Sequence, residues 1–185
     1  MIICRQASLL DGELTTRQIH PSRKLEWHKC FDCAGQCEGR LDCARLDVPM
    51  DWTNTSHGRR VVLAITRLPA VNKTDYRGPV LMNPGDAQDP GTIDADRPLS
   101  LAPLVYARVK AYSSLYERQV QKTGLAQNSG TTYIARDMLE IVNKGDSASP
   151  DLKLWGFSDG TIIGGVFAAM FPDRVERILS DANAS

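Results

Sequence analysis

Leu152-Lys153-Leu154-Trp155-Gly156-Phe157-Ser158-Asp159-Gly160-Thr161-Ile162-Ile163-Gly164-Gly165 sets a strand-like run directly against a helix-like one, with Gly156-Phe157-Ser158-Asp159-Gly160 at the join. This is a Gly-x-Ser-x-Gly pattern in the strand–turn–helix context that gives it chemical meaning. A serine held there occupies a sharp, strained turn. Small residues two before and two after it let the backbone fold tightly. The free N–H groups and positive dipole end of the next helix then point at the serine. Gly164 and Gly165 would let that helix approach the sheet closely. Two glycines flanking a serine at this spacing arise by chance in roughly one chain in twenty of this length. The flanking strand and helix make coincidence rarer still, but the bland reading is an ordinary turn with a surface serine.

Working outward, Val175-Glu176-Arg177-Ile178-Leu179-Ser180 reads as a further strand, separated from the helix over 161–170 by Pro172 and Asp173. Upstream, Ile134, Met138, Ile141 and Val142 form an amphipathic stripe that ends at Gly145, with Arg136, Asp137, Glu140 and Lys144 expected outward. Leu101, Leu104, Val105, Val109, Tyr112, Leu115 and Tyr116 keep helical spacing behind Pro103. Gly78-Pro79-Val80-Leu81-Met82-Asn83-Pro84-Gly85 is a short strand running into a loop. Arg60 to Leu68 is a β-branched strand stopped by Pro69. Leu46 to Pro49 is a strand fragment, joined to it through Ser56-His57-Gly58 as a hairpin. Residues 1–40 have no clear period and are expected to be an irregular arm ahead of one domain over 41–185. From Gly78 onward strands alternate with helices, which predicts an α/β fold with a mostly parallel sheet covered on both faces.

The chain has 185 residues, enough for one domain with a real core. It carries 22 Lys plus Arg and 22 Asp plus Glu, so nothing in its charge points to nucleic acid or an anionic membrane. No apolar run reaches the roughly 20 residues of a membrane span. Met1-Ile2-Ile3-Cys4 is too short for the core of a signal peptide. Cys30, Cys33, Cys37 and Cys43 cluster, and Asn54-Thr55-Ser56, Asn72-Lys73-Thr74 and Asn183-Ala184-Ser185 are glycosylation sequons. Cysteines and sequons lean towards a secreted setting; the missing leader leans the other way. With His28 nearby, the four cysteines also admit a zinc reading, although their spacing fits no standard finger.

Several runs resemble one family. Ala135-Arg136-Asp137-Met138-Leu139-Glu140-Ile141-Val142, Trp155-Gly156-Phe157-Ser158 and Phe167-Ala168-Ala169-Met170-Phe171-Pro172-Asp173-Arg174-Val175 are similar to fungal α/β-hydrolases of the tripeptidyl-aminopeptidase-like group, relatives of the proline iminopeptidases. Leu25 to Cys30, Cys43 to Pro49 and Arg77 to Gly85 look like that family's N-terminal region and oxyanion strand. The resemblance covers about residues 20–90 and 131–182. It implies an α/β-hydrolase core represented by its N-terminal portion, with cap and C-terminal strands absent. It implies Ser158 as the acylated nucleophile. One oxyanion donor would be the backbone N–H of Asp159, the other one near Gly85 and Asp86. The implied substrate is a peptide or a small amide or ester, with no metal or organic cofactor. A Cys30–Cys43 disulfide would tie the arm to the first strand, with Cys33 and Cys37 bridged locally or free.

The chain departs from that pattern in four ways. His20, His28 and His57 all precede Ser158, and in this fold the acid and then the base follow it. Asp173 and Asp181 do follow, but neither stands where the acid is expected. Without a base a serine hydroxyl is a poor nucleophile. The family's glycine-rich loop reads Asp86-Ala87-Gln88-Asp89-Pro90 here. Asp159 replaces a usual tyrosine, and a carboxylate about 6 Å from an oxyanion opposes it by roughly 3 kcal/mol at an effective dielectric of 20. A strand and a glycine-rich turn normally found before the Ala135-Arg136-Asp137-Met138 helix are missing, which predicts a gap in the sheet. The expectation is therefore a serine hydrolase impaired in this chain, or an inactive truncated remnant with at most a binding role.

Overall fold

The computed structural model describes residues 2–6, 19–30, 41–85, 102–145 and 150–183. In chain order these form β1 (Ile2–Gln6), β2 (His28–Cys30), β3 (Leu41–Pro49), β4 (Arg60–Arg67), β5 (Leu81–Asn83), α1 (Ala102–Thr123), α2 (Thr131–Lys144), β6 (Leu152–Ser158), α3 (Asp159–Met170) and β7 (Val175–Asn183). The strands make one seven-stranded sheet in the order β2-β3-β4-β1-β5-β6-β7. The architecture is α/β.

The helices and strands follow from local chemistry. β3 and β4 pair antiparallel from Asp42↔Arg67 to Pro49↔Arg60. Their connection turns through Gly58 at φ 69°, a left-handed position that glycine adopts without strain. The strand fragment expected at Leu46 begins earlier, at Leu41. Gly145 ends α2 by donating its N–H to Val142 O at 3.2 Å. Pro172 opens a short turn after α3, where a ring without an N–H cannot continue the helix.

Three expectations change. The stretch read as irregular contains β1 and β2. β1 lies at the sheet centre, antiparallel to β4 over five residue pairs and parallel to β5 at Ile2↔Met82. The predicted gap is thus occupied by a strand from the opposite end of the sequence. The sheet is also not mostly parallel. Its β1–β5, β5–β6 and β6–β7 pairs are parallel, and its β2–β3, β3–β4 and β4–β1 pairs are antiparallel. The short connection between β3 and β4 makes that pair antiparallel, whereas helix-containing crossovers permit the parallel β5–β6 and β6–β7 pairs.

Two apolar clusters hold the layers. One joins Leu81, Leu152 and Leu154 of the sheet to Met138 and Val142 of α2 and to Ile163 and Phe167 of α3. The other joins Leu46, Val48, Val61, Leu63 and Ile65 to Ile141 of α2. α2 therefore spans both halves of the sheet. α2 and α3 share one face, and on the opposite face Leu179 of the edge strand β7 is 53% exposed. Asp137, expected outward, is only 2% exposed. It accepts a hydrogen bond from Trp52 Nε1 at 2.7 Å, which satisfies charge inside the layer. Gly164 faces the sheet, where an added Cβ would come within 3.0 Å of Leu154 Cδ2 and 3.2 Å of Ile178 Cγ2. Gly165 faces open space, so only Gly164 serves close approach. No described helix is long and apolar enough to cross a membrane.

The N-terminal side is fastened by covalent and ionic ties. Cys30 and Cys43 form a disulfide between β2 and β3 with Cα atoms 5.8 Å apart. It removes two ligands from the zinc reading; Cys33 and Cys37 lie outside the described residues. Asp42 of β3 is buried and takes Lys29 Nζ at 2.9 Å and Arg67 Nη2 at 2.8 Å. Desolvation pushes its carboxyl up, but hydrogen bonds and charge from Arg67 and Lys29 outweigh this and hold it below its ordinary 3.8. A depressed carboxylate adds stability above its unfolded-state value and loses it as pH falls through the folded-state value. Asp42→Asn should lower stability at neutral pH by about 1–3 kcal/mol. Chemical denaturation from pH 6 down to pH 2 should show wild type and variant converging below about pH 4. A constant difference across that range would refute the assignment.

Candidate active site at the Ser158 turn

Ser158 closes β6 and caps α3 with φ 48° and ψ −121°. A non-glycine residue at such an angle stores on the order of 1–3 kcal/mol and persists only where its surroundings enforce it. Three glycines do so. A Cβ on Gly156 would lie 2.4 Å from Gly160 O, and one on Gly160 would lie 2.5 Å from Asn83 O. Gly85, itself at φ 77°, would bring a Cβ to 2.7 Å from Phe157 O and 2.9 Å from Ser158 Cβ. The obstacles are mostly backbone, which cannot move aside as a flexible side chain can. Only hydrogen at these positions lets the end of β5, the end of β6 and the start of α3 meet.

This packing fixes the serine's surroundings. Ser158 is exposed at the carboxyl end of β6, beside the carboxyl end of the parallel β5, where α/β sheets place their ligands. Asp159 is the first residue of α3, so its N–H lies at the positive end of the helix dipole. Thr161 Oγ1 donates to Ser158 O at 2.7 Å and secures the turn from the helix side. The Asp159 side chain is exposed, so water screens its charge and the repulsion of roughly 3 kcal/mol is a ceiling.

The other expected oxyanion donor is engaged elsewhere. Gly85 N–H donates to Asn83 Oδ1 at 3.0 Å. Asp86 lies outside the described residues. Asn83 had no role in the sequence reading, yet it both meets Gly160 and holds Gly85. Asn-Pro-Gly was the available signal, because an asparagine side chain commonly bonds a backbone N–H two residues on.

The histidines are remote. His57 lies in the β3–β4 connection, three to four strand spacings from β6, or roughly 14–19 Å. His28 pairs with Cys43 on β2, five spacings away, or roughly 24 Å. His20 sits two residues before Ser22, which bridges to Leu46 on β3. A general base must come within about 3 Å of the hydroxyl or reach it through one water. None of these does so. Asp173 lies in the turn beyond the far end of α3.

Asp181 is better placed than the sequence suggested. The β6–β7 ladder puts it opposite Phe157, with Asn183 opposite Ser158. Ala182 between them has φ 50°, so the two non-glycine residues of positive φ among those described, Ser158 and Ala182, sit at adjacent strand ends. Among the described residues a small cleft reaches Asn83, lined also by Leu81, Met82, Met138 and Leu154. A wider one opens at Trp27, Arg67, Tyr76 and Pro79, at the opposite end of the sheet. Comparison with protein-family models and with curated proteins gives no match.

Gly85→Ala adds a left-handed penalty of about 1–2 kcal/mol to a backbone clash of about 1–3 kcal/mol. It should cost about 2–4 kcal/mol, and Gly156→Ala should also destabilise. Gly165→Ala, with nothing near its Cβ, should be neutral or stabilise by up to about 1 kcal/mol through helix propensity. Urea unfolding midpoints check the order; equal effects at 85 and 165 would contradict the packing.

Proposed function

We propose that this chain carries the nucleophile half of a serine-hydrolase site in an α/β-hydrolase-like fold of the tripeptidyl-aminopeptidase-like group, impaired in turnover. The supporting observation is Ser158 held at φ 48° between glycines that pack backbone on backbone. The substrate class is a peptide, amide or ester. Ser158 Oγ bonds to the carbonyl carbon, the carbonyl π pair moves to oxygen, and the Asp159 N–H at the α3 terminus faces the new charge. The oxygen's pair then re-forms the carbonyl, the C–N or C–O bond breaks, and the amine or alcohol leaves with a proton from solvent, giving the acyl-enzyme. The hydroxyl proton passes to solvent, because no histidine of this chain reaches Oγ; that step limits the rate.

A second reading keeps the turn and drops the chemistry: a pseudo-hydrolase with at most a binding role. Two observations favour it. Gly85 N–H is held by Asn83 Oδ1, and the histidines lie several strands away. Under it the strained turn survives because the fold needs the packing.

A fluorophosphonate probe separates the two. The hydrolase reading expects slow adduct formation at Ser158, abolished in Ser158→Ala and located by peptide mass spectrometry. Reaction no faster than at the other exposed serines would establish the pseudo-hydrolase. Asp159→Tyr removes a carboxylate from beside the oxyanion position and should speed labelling by less than about tenfold, since the charge is solvent-screened. An unchanged or slower rate would count against the electrostatic argument.

A further inference from the structure

We propose that Asn54 and Asn72 each carry an N-linked glycan. Both asparagines begin sequons, and both are exposed in connections of the antiparallel half of the sheet. Asn54 follows a turn organised by Asp51, whose Oδ1 accepts the N–H of Thr53 at 2.7 Å and of Asn54 at 3.2 Å. Asn72 lies after β4, and its Oδ1 accepts the Thr74 N–H at 2.9 Å. In the first sequon Ser56 Oγ donates to Asn54 Oδ1. In each case the third sequon residue bonds the asparagine Oδ1, and Asn72 Nδ2 also donates one hydrogen to the exposed Asp75 Oδ2 at 3.2 Å. The third sequon differs, because Asn183 is part of β7 and pairs across the ladder with Ser158. Asn54 and Asn72 instead lie in exposed connections outside the ladder.

Two independent features support the assignment. The Cys30–Cys43 disulfide forms in an oxidising compartment, the same setting in which sequons are modified. Beside Asn72, Leu68 is 62% exposed and Val71 is 99% exposed. An oligosaccharide at Asn72 would shade this apolar loop from other chains. The transfer is a substitution at the sugar's anomeric carbon. Nδ2 loses a proton and forms the C–N bond, and the C–O bond to a lipid diphosphate donor breaks with its electron pair leaving on the diphosphate.

The test directs the full chain into the secretory pathway of a eukaryotic cell with a cleavable leader. Lysate and medium are both read, so that retained protein also counts. Amidase deglycosylation should shift mobility by two steps, and peptide mass spectrometry should find Asp at 54 and 72 after treatment. Asn54→Gln and Asn72→Gln should each remove one step. Thr74→Ala should remove the Asn72 step while keeping the asparagine. No shift on deglycosylation, or a shift that persists in the double Gln variant, overturns the proposal. A single step overturns it at the unmodified asparagine.

Discussion

Backbone packed on backbone where β5, β6 and α3 meet is the constraint on which the rest of this molecule depends. Gly85, Gly156 and Gly160 each stand where a Cβ would come within 2.7 Å of a neighbouring carbonyl oxygen. The contact closes a ring of three elements far apart in sequence. It fixes where α3 leaves the sheet, and so which residues of α3 can reach it. Gly164 then meets Leu154 and Ile178, and Phe167 becomes fully buried one turn on. A side chain the size of Phe167 contributes about 1.5–3 kcal/mol on burial, of the order of the strain held at Ser158. Strain and burial are therefore two ends of one arrangement.

The sheet centre depends on a second long-range device. β1 joins an antiparallel half to a parallel half, but it meets β5 at one ladder position and β4 at five. So thin a seam needs support from outside the sheet, and α2 supplies it. Met138 and Val142 pack into the cluster beneath β5 and β6, while Ile141 packs beneath β3 and β4. Asp137 adds a polar tie to Trp52, and Tyr133 donates to Asp51 Oδ1 at 3.2 Å. The buried aspartate lies on the side of the helix that crosses between the halves.

What the sequence made legible follows the range of the forces involved. The turn at Ser158, the strand and helix around it, the Gly58 hairpin and the Gly145 stop rest on contacts within a few residues, and their residue types announce them. The Cys30–Cys43 pairing came from resemblance, not from spacing. The role of β1 was hidden, because a five-residue strand flanked on both sides has no period to distinguish it from an arm. Asp137 was misplaced because helical spacing describes one face, and a charge can sit on the buried face when a distant Trp52 donates to it. Asn83 was overlooked for the same reason: its contact with Gly160 joins the end of β5 to the start of α3, far apart in the sequence. The β7 register that brings Asp181 opposite Phe157 depends on bulges, which no residue pattern here signals.

The two halves of a serine hydrolase site therefore have unequal structural footing. The geometry of Ser158 is enforced by packing that the fold needs whether or not a reaction occurs. Acid–base partners make no comparable contribution: a histidine beside Ser158 would bury little and join nothing. Absence of a base would leave β5, β6 and α3 in register, whereas loss of Gly85 or Gly156 would disturb them. The strained serine is thus strong evidence about how the chain folds, and weaker evidence about rate. Proton transfer is the quantity that divides an acyl-forming site from a preserved turn, and the histidines at 20, 28 and 57 stand on or beside β2, β3 and β4.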